Sequence, residues 1–147
     1  MEKMVNTRGS LPKVFVLGFF ALGAAVLLSK AFQPEPEAMV VAVSMPELSG
    51  EASVGQILFN NNCASCHGDR ASGTDKGPPL IHDIYNPGHH SDDAFYLAAM
   101  NGVVQHHWPY GNMPKQEQVT RDEVAKIVQY VRELQVANGI SFTPHNL

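Results

Sequence analysis

Apolar residues along the chain form one long unbroken run and, further on, shorter stretches with a helical period. The unbroken run, Val14 to Ser29, holds sixteen uncharged residues between Lys13 and Lys30. Within residues 120–138 the apolar positions recur every three or four residues instead. These positions are Val124, Ile127, Val128, Val131 and Leu134. The pattern predicts one helix long enough to enter a membrane, followed by a domain of amphipathic helices.

Capping and stop signals at the two ends of a periodic stretch set the expected limits of its helix. Thr120 with Glu123 is a capping box, and Asn138-Gly139 is a stop signal, so we expect the last helix between them. A second helix is expected from Asp92 to Met100, capped by Ser91 or Asp92 and ended by Asn101-Gly102.

Charge is distributed unevenly along the 147 residues. Residues 1–13 carry three basic side chains against one acidic, a charge of +2, whereas residues 45–147 carry six basic and eleven acidic, a charge of −5. No Lys/Arg run or basic stripe interrupts the acidic part, which argues against nucleic-acid binding. Because basic residues precede the apolar run, the N-terminus is expected to stay in the cytoplasm and the remainder to be exported.

These features divide the chain into three parts. Residues 1–32 are interpreted as a cytoplasmic N-terminus and membrane anchor, residues 33–50 as a linker that begins with alternating Pro and Glu, and residues 51–147 as the folded domain. The alternative for the first part is a signal peptide, since Ser29-Lys30-Ala31 offers a small-x-small cleavage site. The adjoining lysine is unusual so close to a cleavage point and favours the anchor.

Both cysteines lie in Cys63-Ala64-Ser65-Cys66-His67, the pattern of c-type haem attachment. Thiols three residues apart share one side of a helical turn, where they can reach the two vinyl groups of one haem, and the adjacent histidine can ligate the iron. A thioredoxin-like dithiol would need a βαβ setting, which the surrounding pattern lacks. A zinc site would need further ligands, for which His82, His89 or His90 are the candidates.

With this motif, residues 50–140 resemble a class I cytochrome c. Gly55 to Phe59 leads into the cysteines as that family's first helix does, and Gly77-Pro78-Pro79-Leu80 resembles its Gly-Pro-x-Leu turn. The resemblance implies an all-α fold around one covalent haem c, in which Ile57, Leu58 and Phe59 pack on the last helix. It also implies that the Pro78 carbonyl accepts a hydrogen bond from His67, and that the indole N–H of Trp108 binds a haem propionate. Tyr130 is expected to face either the haem or solvent.

The sixth position on the iron separates a carrier from an enzyme. Met113 lies in a Pro- and Gly-rich loop that can lay a thioether against a haem face, five residues after Trp108 as in small bacterial members of the family. Met100 belongs to a helix and is expected to fill the core. His106-His107 and His89-His90 are the rivals. We expect His67 and Met113 to be the axial ligands.

Together these expectations describe a single-pass protein of the bacterial cytoplasmic membrane with its haem domain in the periplasm. It would carry single electrons between redox proteins such as a quinol oxidoreductase, a terminal oxidase or a periplasmic reductase. Two alternatives stay open. One is a small haem enzyme, a peroxidase or gas binder with an open or histidine-ligated sixth position. The other is an accessory subunit of a membrane oxidase or dehydrogenase complex, for which Ala21, Ala25 and Ser29 supply small-xxx-small spacing.

Overall fold

A computed structural model of the protein describes residues 11–32 and 38–144. The chain forms two compact units, residues 1–35 and 36–147, each of which is described by itself. The expected cytoplasmic N-terminus up to residue 10 and the Pro/Glu-rich start of the expected linker, residues 33–37, lie outside the described residues.

In the first unit, the described residues 11–32 form one helix, α1, over Leu11–Ala31. Its 21 residues span about 31 Å at 1.5 Å per residue, close to the thickness of a bilayer's hydrocarbon core. Within the described residues it is the one helix both long and apolar enough to cross a membrane, with a mean hydropathy of 2.1 over Lys13–Ala31. These properties are compatible with a membrane anchor, and a signal sequence shares them.

The second unit is built from helices, which confirms the all-α prediction. The helices are α2 (Gly50–Asn62), α3 (Ala64–His67), α4 (Asp92–Asn101) and α5 (Arg121–Ala137). Short 3₁₀ turns lie at Asp69–Ala71 and Asp83–Tyr85. No strand occurs in the described parts of the chain, although Val103 and Met113 form an isolated antiparallel bridge.

Helix α5 forms the centre of the core. Its expected capping box is present, with Thr120 accepting from the Glu123 backbone N–H and the Glu123 carboxylate accepting from that of Thr120. All five residues of the predicted apolar stripe are buried. The expectation for Tyr130 is wrong, because its side chain is fully buried and packs on Phe59 with ring centroids 5.5 Å apart. It faces neither the cavity described below nor solvent.

Helix α2 packs on α5 through a different face from the one expected. Ala52, Gly55 and Phe59 are buried at spacings of three and four residues, whereas Ile57 is 62% exposed and Leu58 is partly buried. The prediction for Ile57 is therefore wrong: two residues before Phe59, it lies on the opposite side of the helix. Gly55 permits the close approach of the two helices, since a Cβ there would lie 1.9 Å from the Lys126 carbonyl oxygen.

Residues 38–49 lie along the second unit rather than apart from it. Val41 donates its backbone N–H to Ser72 at 2.9 Å, and Ser44 exchanges two hydrogen bonds with the Asn138 side chain. Ser49 caps α2 and donates its own N–H and hydroxyl to the Glu133 carboxylate at 3.0 and 2.6 Å. The expected linker comprised residues 33–50, and its residues 38–49 thus belong structurally to the helical domain.

Candidate functional site

A cavity of about 520 Å³ lies inside the second unit, and its wall is largely apolar. Helices α2, α4 and α5 and the loop between α4 and α5 all contribute to it. Lining residues from the helices include Phe59, Phe95, Ala98, Val124, Ile127 and Val128. The apolar stripe of α5 is therefore divided between the cavity wall and the core. Its N-terminal half faces the cavity, and Val131 and Leu134 complete the protein interior.

Cys66 and His67 lie on the single turn of α3, and Cys63 is the residue that links α2 to this turn. The His67 N–H bonds to the Cys63 carbonyl at 2.9 Å, which closes the turn. Cys63 and His67 line the cavity, and Cys66 is exposed to solvent. Burial, and secondarily the neighbouring Cys66, raises the pKa of the Cys63 thiol to about 11. Without an attached group, this thiol would thus be protonated at neutral pH.

The ring of His67 is held in one orientation by the turn at residues 77–80. Its Nδ1 lies 2.9 Å from the carbonyl oxygen of Pro78. Because a carbonyl can only accept, Nδ1 carries the proton and Nε2 has the lone pair, the tautomer that a metal ligand needs. Burial lowers the pKa of His67, against the opposing effect of the Pro78 hydrogen bond, so the imidazole is neutral at physiological pH.

The segment that carries Met113 is fixed against the chain leaving α4. Val103 and Met113 exchange two backbone hydrogen bonds of 2.9 and 3.0 Å, and Gln116 donates its N–H to the Ala99 carbonyl at 2.8 Å. Gly102 makes this approach possible for two reasons. Its φ is +76°, and a Cβ at this position would lie only 2.6 Å from the Met113 carbonyl oxygen. The half-buried Met113 lines the same cavity as His67.

Met100 has a different environment. It lies near the end of α4, is partly buried, and packs against the hydrophobic core. It is not among the residues that line the cavity. Of the two methionines considered from the sequence, the structure therefore brings only Met113 to the cavity wall.

Two aromatic residues bring polar groups to the cavity. Trp108 lines it, and the indole Nε1 is buried without a hydrogen-bond partner of good geometry. Burial raises the pKa of Tyr85, a neighbouring lining residue, to about 12, and the nearby indole N–H of Trp108 opposes the rise. Sequence reasoning missed Tyr85, because a tyrosine in the three-residue 3₁₀ turn Asp83–Tyr85 carries no periodic signal.

Histidines also reach the cavity. His90, His106 and His107 line it beside Trp108. Burial lowers the pKa of His90, as do the neighbouring histidines to a smaller extent, whereas its hydrogen bond to Ile84 opposes the shift. His82 stacks edge-on to Trp108 with ring centroids 5.1 Å apart. Three of the four histidines that rival Met113 thus line the same cavity.

These residues fit a covalently attached haem. The cavity volume and apolar wall suit a flat macrocycle, Cys63 and Cys66 can supply two thioethers, and His67 presents a bare ring nitrogen. The buried Trp108 N–H makes no hydrogen bond of good geometry, although the Tyr85 hydroxyl is near it, and a propionate carboxylate would provide a full acceptor; an unpaired buried donor otherwise costs about 1–3 kcal/mol.

Comparison with known proteins agrees with this geometry. The family model described as cytochrome c matches residues 52–135, which include the cysteine motif, the residues that line the cavity, and most of α2 and α5. A search of curated proteins gave no significant match. The family match covers more than half of the chain and contains Cys63, Cys66 and His67 at the attachment spacing. The chain therefore belongs to the cytochrome c family and binds haem c covalently.

Proposed function

We propose that this protein carries single electrons, with His67 and Met113 as the axial ligands of its haem iron. The observation that carries the proposal is the pairing of Met113 with Val103, which holds Met113 on the wall of the cavity that His67 also lines. A thioether in the sixth position closes the iron to small ligands and raises the reduction potential.

The residues of the chain have positioning roles in this proposal rather than bond-making ones. The haem, when bound, supplies the reversible one-electron change. Pro78 fixes the His67 ring, and Trp108 is proposed to donate its N–H to a propionate. The apolar wall from α4 and α5 limits water around the cofactor, which also favours the reduced state, since the oxidised haem bears one more positive charge.

Partners are proposed from charge and location. The charge of −5 on residues 45–147 favours redox proteins with a positive docking patch. We propose a quinol oxidoreductase as the donor and a terminal oxidase or periplasmic reductase as the acceptor, each reached at the outer face of the cytoplasmic membrane.

Carbon monoxide binding to the unmodified protein tests the proposal directly. Because a closed sixth position must first lose its ligand, the reduced protein is expected to bind carbon monoxide slowly or not at all over minutes. The measurement is the visible spectrum after mixing. Rapid formation of a carbon monoxide adduct would instead support the second candidate, a haem enzyme or gas binder, which the histidines His90, His106 and His107 on the cavity wall favour.

We also propose that α1 stays on the mature protein as a single-pass anchor in the cytoplasmic membrane. The support is its length and apolar composition, together with the +2 charge of residues 1–13. N-terminal sequencing of the membrane-extracted protein is expected to find the uncleaved start of the chain. A mature protein that begins near Phe32 and is recovered in the soluble periplasmic fraction would identify the segment as a signal peptide.

A further inference from the structure

A cluster of three histidines, His89, His90 and His107, lies where two loops meet. One loop precedes α4 and the other follows it, so the chain brings together residues 17 or 18 positions apart. Each imidazole offers a ring nitrogen, and these three nitrogens all lie within 4.8 Å of one another. The two loops therefore bring three nitrogen atoms that can bind a metal to one place.

The spacing within the cluster is that of metal ligands. The Nε2 atoms of His89 and His107 are 3.4 Å apart. Two nitrogens bound to one tetrahedral zinc ion, each at about 2.0–2.1 Å, lie about 3.3–3.4 Å from each other. This pair therefore already has the separation that one ion requires, and a ring nitrogen of His90 lies within 4.8 Å of both.

His90 has the tautomer that such a site needs. Its Nδ1 lies 2.6 Å from the carbonyl oxygen of Ile84, so Nδ1 carries the proton and Nε2 keeps its lone pair. A histidine that donates its second ring N–H to a backbone carbonyl is the usual arrangement for metal-bound imidazoles, because the bond fixes the ring and strengthens it as a donor.

The backbone that carries two of the three histidines is held firmly. The backbone N–H groups of His89 and His90 both donate to the Asn86 carbonyl, at 3.0 and 2.9 Å. The Arg132 guanidinium donates to the carbonyls of His90 and Tyr85 and to the carboxylate of Asp92. Binding therefore requires little reordering of this loop, which favours affinity.

We propose that His89, His90 and His107 form a binding site for a divalent transition-metal ion, distinct from the haem iron. Three imidazoles and no carboxylate select Zn²⁺ or Cu²⁺ over Mg²⁺ or Ca²⁺. His107 is exposed, so an ion can enter from solvent and the fourth position stays open to water. Since His90 and His107 also line the haem cavity, the ion adds positive charge beside the haem and stabilises its reduced state.

The test uses the full-length holoprotein in detergent at pH 7.5, with Zn²⁺ as the probe in isothermal titration. We expect one Zn²⁺ per chain, no heat from Mg²⁺, and an unchanged visible spectrum. Loss of an outer hydrogen-bond partner alone costs about 10–100-fold in metal affinity, so the double variant His89→Gln/His107→Gln should weaken Zn²⁺ binding at least 100-fold. The reduction potential should rise with Zn²⁺ in the wild type and stay unchanged in the double variant.

The matched control is His106→Gln, on the same loop and also exposed. The Nδ1 of His106 is engaged with the Val104 carbonyl at 2.8 Å, and this residue is outside the three-nitrogen cluster, so the variant should bind Zn²⁺ within about twofold of the wild type. Equal Zn²⁺ affinity in the double variant would overturn the proposal. So would a change of the haem spectrum on Zn²⁺ addition, because it would show that one of these histidines is an iron ligand.

Discussion

Replacing Met113 with alanine is expected to open the haem iron. The thioether is the donor that the Val103 pairing places on the cavity wall, and alanine has no atom to replace it. The oxidised variant should lose the weak far-red absorption band that a thioether–iron bond gives in this family. Its reduction potential should fall by about 0.1 V or more. Haem reduction potentials vary over roughly 0.8 V with the identity of the axial ligands. Added cyanide or carbon monoxide should bind at once.

Met100→Leu is the matched control for this experiment. Met100 packs on the core away from the cavity lining, and leucine has a similar volume, so the spectrum, the potential and the ligand-binding rates should stay nearly unchanged. An intact far-red band in Met113→Ala would mean that Met113 is not the ligand. The histidines His90, His106 and His107 would then be the next candidates.

Removing the haem is expected to unfold most of the helical domain. Without the haem, the largely apolar wall of this cavity loses its packing partner, in a domain whose whole stability is typically only about 5–15 kcal/mol. Val124, Ile127 and Val128 would then have no partner on one side, and α5 would lose the packing that keeps an isolated helix formed.

The Cys63→Ala/Cys66→Ala variant, purified free of haem, provides the measurement. Its far-UV circular dichroism should show much less helix than the holoprotein, and heating should give no cooperative transition. Holoprotein prepared in the same detergent is the control, because α1 contributes equal helix to both. Native helix content and a sharp melt in the haem-free protein would contradict the expectation.

Several features of this protein follow from the sequence alone because they depend on neighbouring residues. The Cys63-to-His67 spacing identifies the haem attachment turn, since one helical turn fixes the relation among these three side chains. The limits of α5 follow from the Thr120/Glu123 capping box and the Asn138-Gly139 stop, which act within a few residues of each helix end. The apolar run of α1 is likewise a local property.

Contacts between distant segments had to come from the tertiary structure. The face that α2 buries depends on where Gly55 allows α5 to approach, so the sequence alone placed Ile57 and Tyr130 wrongly. Residues 38–49 look like a linker because their partners, such as Ser72 and Asn138, lie far along the chain.

The same holds for the groups that decide the chemistry. Met113 reaches the cavity through backbone pairing with Val103, ten residues earlier, and Trp108 becomes an unpaired buried donor only where the loops close around it. His89 and His107 come together because the loop before α4 and the loop after α4 meet in the folded domain. Spacing along the chain determines what one helical turn presents, whereas only the packing of helices and loops determines which side chains surround one cavity.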